Sequence, residues 1–256
     1  MQDQVQNTFC DDLKQKTKTN HEESDRIVNW KLAVALTDMT LYGGVLADFY
    51  YVFKTIEDCL GQLVQHPVIC PLAKVIVDLH RAEAFEKDLS FFLGPNWMGR
   101  VEPSLPAKEY CDRILAISEN SPVLLIAYVH SMYLAILGGG KALKKVIQKT
   151  LGLVGNEGLA AYEVSDSEET CLRLGNELID CINHLPLNAE EKERILDEKR
   201  RVFVMNNAIA NNVKPTAKSF FRIIKIGLVI LTAFSIIGAA IYAYNLCDLS
   251  LEKNHG

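Results

Sequence analysis

Lys14, Lys18 and His21, within LKQKTKTNHEESD (Leu13–Asp25), are spaced at i, i+4 and i+7. On one helix they share a face. An imidazole beside two ammonium groups is an odd core surface, because buried charge needs a partner. It suits a flat, metal-bearing ligand with acid groups at its rim. Neutral imidazole is an iron ligand, and lysines attract carboxylates. Taken by themselves, the same residues also read as an ordinary solvated face.

A second feature is YLAILGGGKALKK (Tyr133–Lys145). Gly138, Gly139 and Gly140 interrupt what otherwise reads as one long helix from Pro122 to about Leu151. Each interior glycine costs about 1 kcal/mol relative to alanine, so three together cost roughly 3 kcal/mol. Bare main chain would let a flat ring come into van der Waals contact, and a helix weakened there can bend. Close helix packing or a simple kink would use the same residues.

These groups must be positioned by helices. Apolar residues recur at three and four, glycine and proline are few, and strand signals are scarce. The pattern predicts an all-α domain over residues 1–212. Its helices fall at Asp11 to Glu23, Asp38 to Leu63 (stripe Tyr42, Val45, Leu46, Phe49, Phe53, Ile56, Leu60), Pro71 to Asp78, Ala82 to Leu93 and Ala107 to Ser118. The glycine-broken helix follows. Then comes one beginning near Ser165 and Ser167 and ending near His184, and a last one capped by Asn188 with Glu190 and Glu191 in its first turn. LGPNW (Leu93–Trp97) reads as a turn.

Residues 226–244, IGLVILTAFSIIGAAIYAY, carry no charge. At 1.5 Å per residue this run spans about 28 Å, near the thickness of a bilayer core. Lys214, Lys218, Arg222 and Lys225 precede it, and Asp248 and Glu252 follow. The expectation is a transmembrane tail anchor behind a short basic tether (213–225), with the helical domain cytosolic and residues 245–256 lumenal. Seven scattered cysteines without a C-x-x-C pair suit buried thiols in a reducing compartment. A net charge of -5 argues against nucleic acid. No H-E-x-x-H, G-x-S-x-G or phosphate loop occurs, and GGGK lacks P-loop spacing.

In combination these segments resemble a family. LKQKTKTNHEESD resembles the proximal helix of the haem oxygenases, and LHRAEAFEKDLSFFLGPNW (Leu79–Trp97) their helix and G-P-x-W turn. YLAILGGGKALKKVIQKTLGL resembles their glycine-rich distal helix, and RVFVMNN (Arg201–Asn207) their last core helix. The similarity runs in order over residues 8 to 210, and the apolar C-terminal run fits the membrane-bound members of the endoplasmic reticulum.

The resemblance implies haem held between proximal and distal helices, as both substrate and prosthetic group. It also implies cleavage by O2, with electrons from NADPH through cytochrome P450 reductase, to biliverdin, carbon monoxide and Fe2+. Biliverdin reductase would be a downstream partner. By this carry-over His21 is the axial iron ligand and Gly138, Gly139 and Gly140 cover the other face. Lys14 and Lys18 lie near the propionates, Phe203 and Asn206 line the wall, and Lys145 and Lys149 lie near the reductase, in a cluster with Lys141 and Lys144. His130 stands where the family has a tyrosine; it is a rim or packing residue or, alternatively, a second axial ligand.

The departures concern protons and orientation. Ile136 stands where the family has the aspartate that organises distal water, Lys54 where it has a tyrosine of the same network, and Met132 where it has an arginine. Lys54, His130 or water held by the glycine carbonyls are the candidate substitutes. Gly175 and Ile179 fall where propionate-binding bases are expected, so cleavage at more than one ring position is implied. Two rivals stand beside the enzyme: a tail-anchored haem sensor or buffer without catalysis, and a helical adaptor without haem.

Overall fold

The computed structural model describes residues 7–216 and residue 221. These residues form helices joined by turns, with no strand among them. The compact unit is Met1–Lys214, and the remainder, Pro215–Gly256, is a separate unit. The expected membrane span at 226–244 lies outside the described residues.

α1 (Phe9–Gln15) opens on Thr8 in a reciprocal capping box with Asp11. It stops well before the expected Glu23. The Thr17 hydroxyl donates to the Leu13 carbonyl at 2.6 Å. The chain leaves helical geometry there, at φ -114 and ψ 12, and α2 (Lys18–Ala35) starts afresh. A threonine hydroxyl that takes an i−4 carbonyl bends or ends a helix. One expected helix is therefore two. Lys14 sits on α1, Lys18 and His21 on α2, and periodicity does not carry Lys14 onto the His21 face. α2 also continues twelve residues past Glu23, to Ala35.

α3 (Met39–Gln62) starts where Asp38 accepts from the Thr40 and Leu41 amides. Its stripe of Tyr42, Leu46, Phe53, Ile56 and Leu60 is buried. α4 (Ile69–Val75) runs into a 3₁₀ turn, and α5 (Ala82–Leu93) follows. No side chain of its own caps α5. Glu57 of α3 does so instead, accepting from the Arg81 amide at 2.6 Å, the Ala82 amide at 3.3 Å and the Tyr133 hydroxyl at 3.1 Å. These bonds satisfy both a buried carboxylate and an orphaned helix start. After α5 the expected turn buries Trp97 edge-on against Tyr50, with centroids 5.0 Å apart. α6 (Leu105–Asn120) is capped by Ser104, itself held by Asp48.

α7 (Leu125–Leu151) runs unbroken through Gly138–Gly140, so the expected interruption is absent. Buried Tyr133 and Ile147 on either side hold it in register with the core. Gly140 explains itself by packing. A β-carbon there would lie 2.4 Å from the Tyr162 carbonyl oxygen, in a 3₁₀ turn whose amides at Ala160 and Ala161 are pinned by Asp88. Gly140→Ala should therefore lose about 1–3 kcal/mol of stability, seen as a lower denaturation midpoint. An unchanged midpoint would show that the turn yields.

α8 (Glu168–Asn183) begins at Ser167, and α9 (Ala189–Asn212) at an Asn188–Glu191 capping box. α9 is the floor of the site. α2 and α7 both pack on it but scarcely on each other, which leaves a cleft between them.

Candidate functional site

α2 buries only Ser24, Val34 and Ala35. Helices are held mostly by the packing of one face, so its first half rests on few ties. The Ser24 hydroxyl donates to Asn207 Oδ1 at 2.7 Å. The Lys31 ammonium donates to the Asn211 and Val213 carbonyls, closing the end of α9. His21 projects from this half with 61% of its side chain exposed, and its Nδ1 lies 3.0 Å from Asp25 Oδ2. In a neutral ring Nδ1–H donates to that carboxylate and Nε2 keeps its lone pair. A ligating histidine is commonly held this way. Asp25 is not among the residues expected from sequence, although its i+4 spacing from His21 signals it.

Phe203 of α9 meets the His21 ring edge-on, with centroids 5.7 Å apart. Asn206, one turn on, has Nδ2 3.7 Å from Met132 Sδ of α7. α9 thus joins the two walls. From Met132 the α7 stripe continues through Ala135, Gly139, Ala142 and Val146, at i+3, i+7, i+10 and i+14, and these four are exposed. β-carbons added at Gly138 or Gly139 would meet nothing within 4 Å. Two of the three glycines therefore keep a surface bare, while Gly140 packs.

Among the described residues two buried atoms, Ser131 Oγ and Asn206 Oδ1, have no hydrogen-bond partner. Such orphans are rare in finished interiors. Among the described residues no three His, Cys, Asp or Glu side chains converge on a bare-ion site. A metal on His21 would bring its other ligands with it. An available imidazole nitrogen, a bare wall and orphaned polar atoms fit a flat, metal-bearing ring.

His130 is buried, and its Nδ1 lies 3.1 Å from Lys199 Nζ. Burial holds Lys199 down at about 8 and, with the Lys199 charge, His130 at about 3. The ammonium donates to neutral imidazole Nδ1, so His130 carries its proton on Nε2 and lacks the free nitrogen that a second axial ligand needs. From pH 8 up to the ordinary lysine value of 10.5 the unfolded chain holds a proton on Lys199 that the folded chain lacks. Stability should rise with pH across that window by on the order of 3 kcal/mol. Lys199→Met should abolish the rise, and equal slopes in both proteins would contradict this.

The other expected residues are dispersed. Lys14 is exposed, and Lys18 is exposed and pairs with Glu22 at 3.9 Å. Lys54 is tied to Asp58 at 2.6 Å. Ile136 is half-buried against the core, and so is Ile179. A β-carbon at Gly175 would lie 3.9 Å from Leu137. Lys141 donates to the Asp166 carbonyl and Lys144 pairs with Glu163 at 2.7 Å, while Lys145 and Lys149 are exposed without an ion pair among the described residues. A groove of about 380 Å³ runs between α2 and α9, lined by Asn20, Glu23, Ile27, Phe203 and Asn211. It shares Phe203 with the His21 site, while its α2 residues lie round the helix from His21.

The family model described as "Heme oxygenase" matches residues 7–212. The chain belongs to the haem oxygenase family. Among curated relatives, haem oxygenase 1 of Synechocystis is 28% identical over 203 residues, covering 79% of this chain and 83% of that one. The haem oxygenase of Rhodella violacea is 31% identical over 220 residues, covering 83% and 92%. The crystal structure of Synechocystis haem oxygenase-1 in complex with haem superposes with a TM-score of 0.75 at 26% identity, covering 89% of this chain and 100% of that one. Haem oxygenase 2 of Chlamydomonas reinhardtii, crystallised without haem, gives 0.76 at 26% identity, covering 82% and 100%. The haem oxygenase fold thus accounts for the order of the helices that frame the cleft.

Proposed function

We propose that this member of the family binds haem between α2 and α7, with His21 Nε2 on the iron, and degrades it. The products would be biliverdin, carbon monoxide and Fe2+, made with O2 and electrons from NADPH through cytochrome P450 reductase. The observation that carries the reading is the His21–Asp25 pair, 3.0 Å apart, on a helix separated from the bare Gly138–Gly139 wall by a cleft.

Bound haem supplies the iron that activates O2 and the ring that is oxidised. The chain's own residues do the rest. Asp25 fixes the His21 tautomer and the orientation of its ring. Phe203 packs on the imidazole edge and excludes water from one flank. Ala135, Gly138 and Gly139 admit a ring close to main chain. Ile136 has no atom that can hold a proton. Lys54 offers only a group already paired with Asp58, so proton delivery falls to water admitted by the bare helix.

Gly175 and Ile179 provide no cation, so the ring has freedom to turn in its plane. More than one biliverdin isomer is the expected product, and a single isomer by chromatography would count against that freedom. Lys145 and Lys149 form the reductase-facing patch, with attraction steering encounter. Charge reversal of both should raise the KM for reductase several-fold at low salt and less at high salt. The same rate at both would remove the patch from the reading. Residues 226–244 are read as a span of the endoplasmic reticulum membrane, with the helical unit in the cytosol.

The test is to add haemin to the purified protein, then reductase and NADPH. A Soret band that decays into biliverdin absorption supports the proposal. A band that persists would make the protein a haem buffer or sensor, and no band would refute haem binding.

A further inference from the structure

Lys199 is the anomaly of the interior. Its residue is 5% exposed, yet no carboxylate lies within ion-pair distance of its ammonium among the described residues. Its hydrogen-bond partner is the neutral ring of His130, at 3.1 Å. Glu198, the next residue, goes to Arg113 and the Tyr128 hydroxyl instead. A buried cation without a counter-ion is destabilising, and large costs of this kind are kept where the group has a task.

Its place indicates the task. Lys199, Phe203 and Asn206 stand at i, i+4 and i+7, on one face of α9. Phe203 touches His21, and the orphaned Asn206 Oδ1 lies one turn further on. Lys199 therefore stands on the cleft-facing side of the floor, a turn before the ring-contacting residues. Around it are His130 of α7 and Cys10 of α1, whose thiol its charge influences. The Cys10 Sγ also reaches the Ile179 carbonyl at 3.7 Å. The cation thus stands near the end of α8, which meets Cys10 through Ile179, Asp180 and Asn183. Lys14 and Lys18, by contrast, are solvated, and an exposed ammonium discriminates weakly.

We propose that Lys199, held by the neutral imidazole of His130, is the carboxylate-recognising group of the cleft and takes one acid group of haem. The inference rests on the haem-binding reading above. One cation can take either acid group, so it anchors the rim of the ring without fixing a single in-plane orientation. His130 is then a positioning residue: its Nδ1 accepts one ammonium proton and leaves the other two for the carboxylate.

The experiment compares binding of haemin and of haemin dimethyl ester, which lacks the acid charges, to the full-length protein and its variants. Wild type should bind haemin about tenfold or more tightly than the ester. Lys199→Met should lose that preference while holding the ester with unchanged affinity. Its ligand-free form should melt at a higher temperature, because a buried charge is gone. Lys199→Gln, which keeps a donor without the charge, serves if the methionine variant does not fold, and should also lose the preference. Lys14→Met and Lys18→Met should keep it within about threefold. A preference that survives in both Lys199 variants, or that disappears with Lys14 or Lys18, overturns the assignment and leaves haem binding standing. Binding of neither ligand by wild type would overturn the haem reading itself, and the assignment with it.

Discussion

The His21→Ala variant should still fold and should lose at least about 100-fold in reductase-coupled haem degradation. His21 is exposed, and its bond to Asp25 is a surface pair worth only about 0–1 kcal/mol, so its loss barely perturbs stability. The expected loss lies in coordination, because nothing else described near the α2 wall offers a neutral nitrogen. The ferric complex should lose its imidazole-ligated absorption spectrum, and added imidazole should restore part of it by filling the space. Asp25→Ala should fall between the two, with about 10–100-fold weaker iron coordination, because the ring keeps its nitrogen and loses its fixed tautomer. A His21→Ala complex with the wild-type spectrum would place the iron elsewhere.

Gly139→Leu should give the second large effect, with opposite signs in the free and loaded protein. A β-carbon at Gly139 meets no atom within 4 Å and the residue is exposed, so the free protein lets a larger side chain extend outward. It also gains helix propensity of roughly 0.5–1 kcal/mol and should melt higher. The same side chain fills the space where a flat ring would lie. Haemin affinity should fall by at least about 100-fold, since the leucine would occupy the place of the ring. Gly140→Ala makes the contrast, because it acts on folding through the Tyr162 carbonyl and leaves the cleft wall alone. Tight haemin binding by Gly139→Leu would mean that α7 is not the opposing wall.

These contrasts show what a sequence can carry. Local chemistry was legible: the Asp38 start of α3, the span of α5, the Ser167 and Asn188 caps and the buried Trp97 turn all follow from side chains acting on nearby main chain. What depends on distant neighbours was not. Thr17 looks like any helical threonine until its burial turns its hydroxyl onto Leu13. The three glycines are identical in sequence, and only the Tyr162 turn, brought in by Asp88 of α5, separates Gly140 from the other two. Lys199 sits in EEKERILDEKRR, where charge predicts a solvated face; the packing of α1 and α7 on α9 buries it. His21 stood out through the resemblance of its segment to the proximal helix of the haem oxygenases rather than through spacing, because the break at Thr17 takes Lys14 off its face. Asp25 was equally available and went unclaimed, since an acidic residue after a histidine is common on solvated helices.

The most direct measurement is a crystal structure of the haemin-loaded protein. The expected result is iron bonded to His21 Nε2, with Nδ1 still on Asp25 and the ring lying flat against the main chain at Gly138 and Gly139. Iron bonded to another side chain, or haem lodged in the groove between α2 and α9, would contradict it.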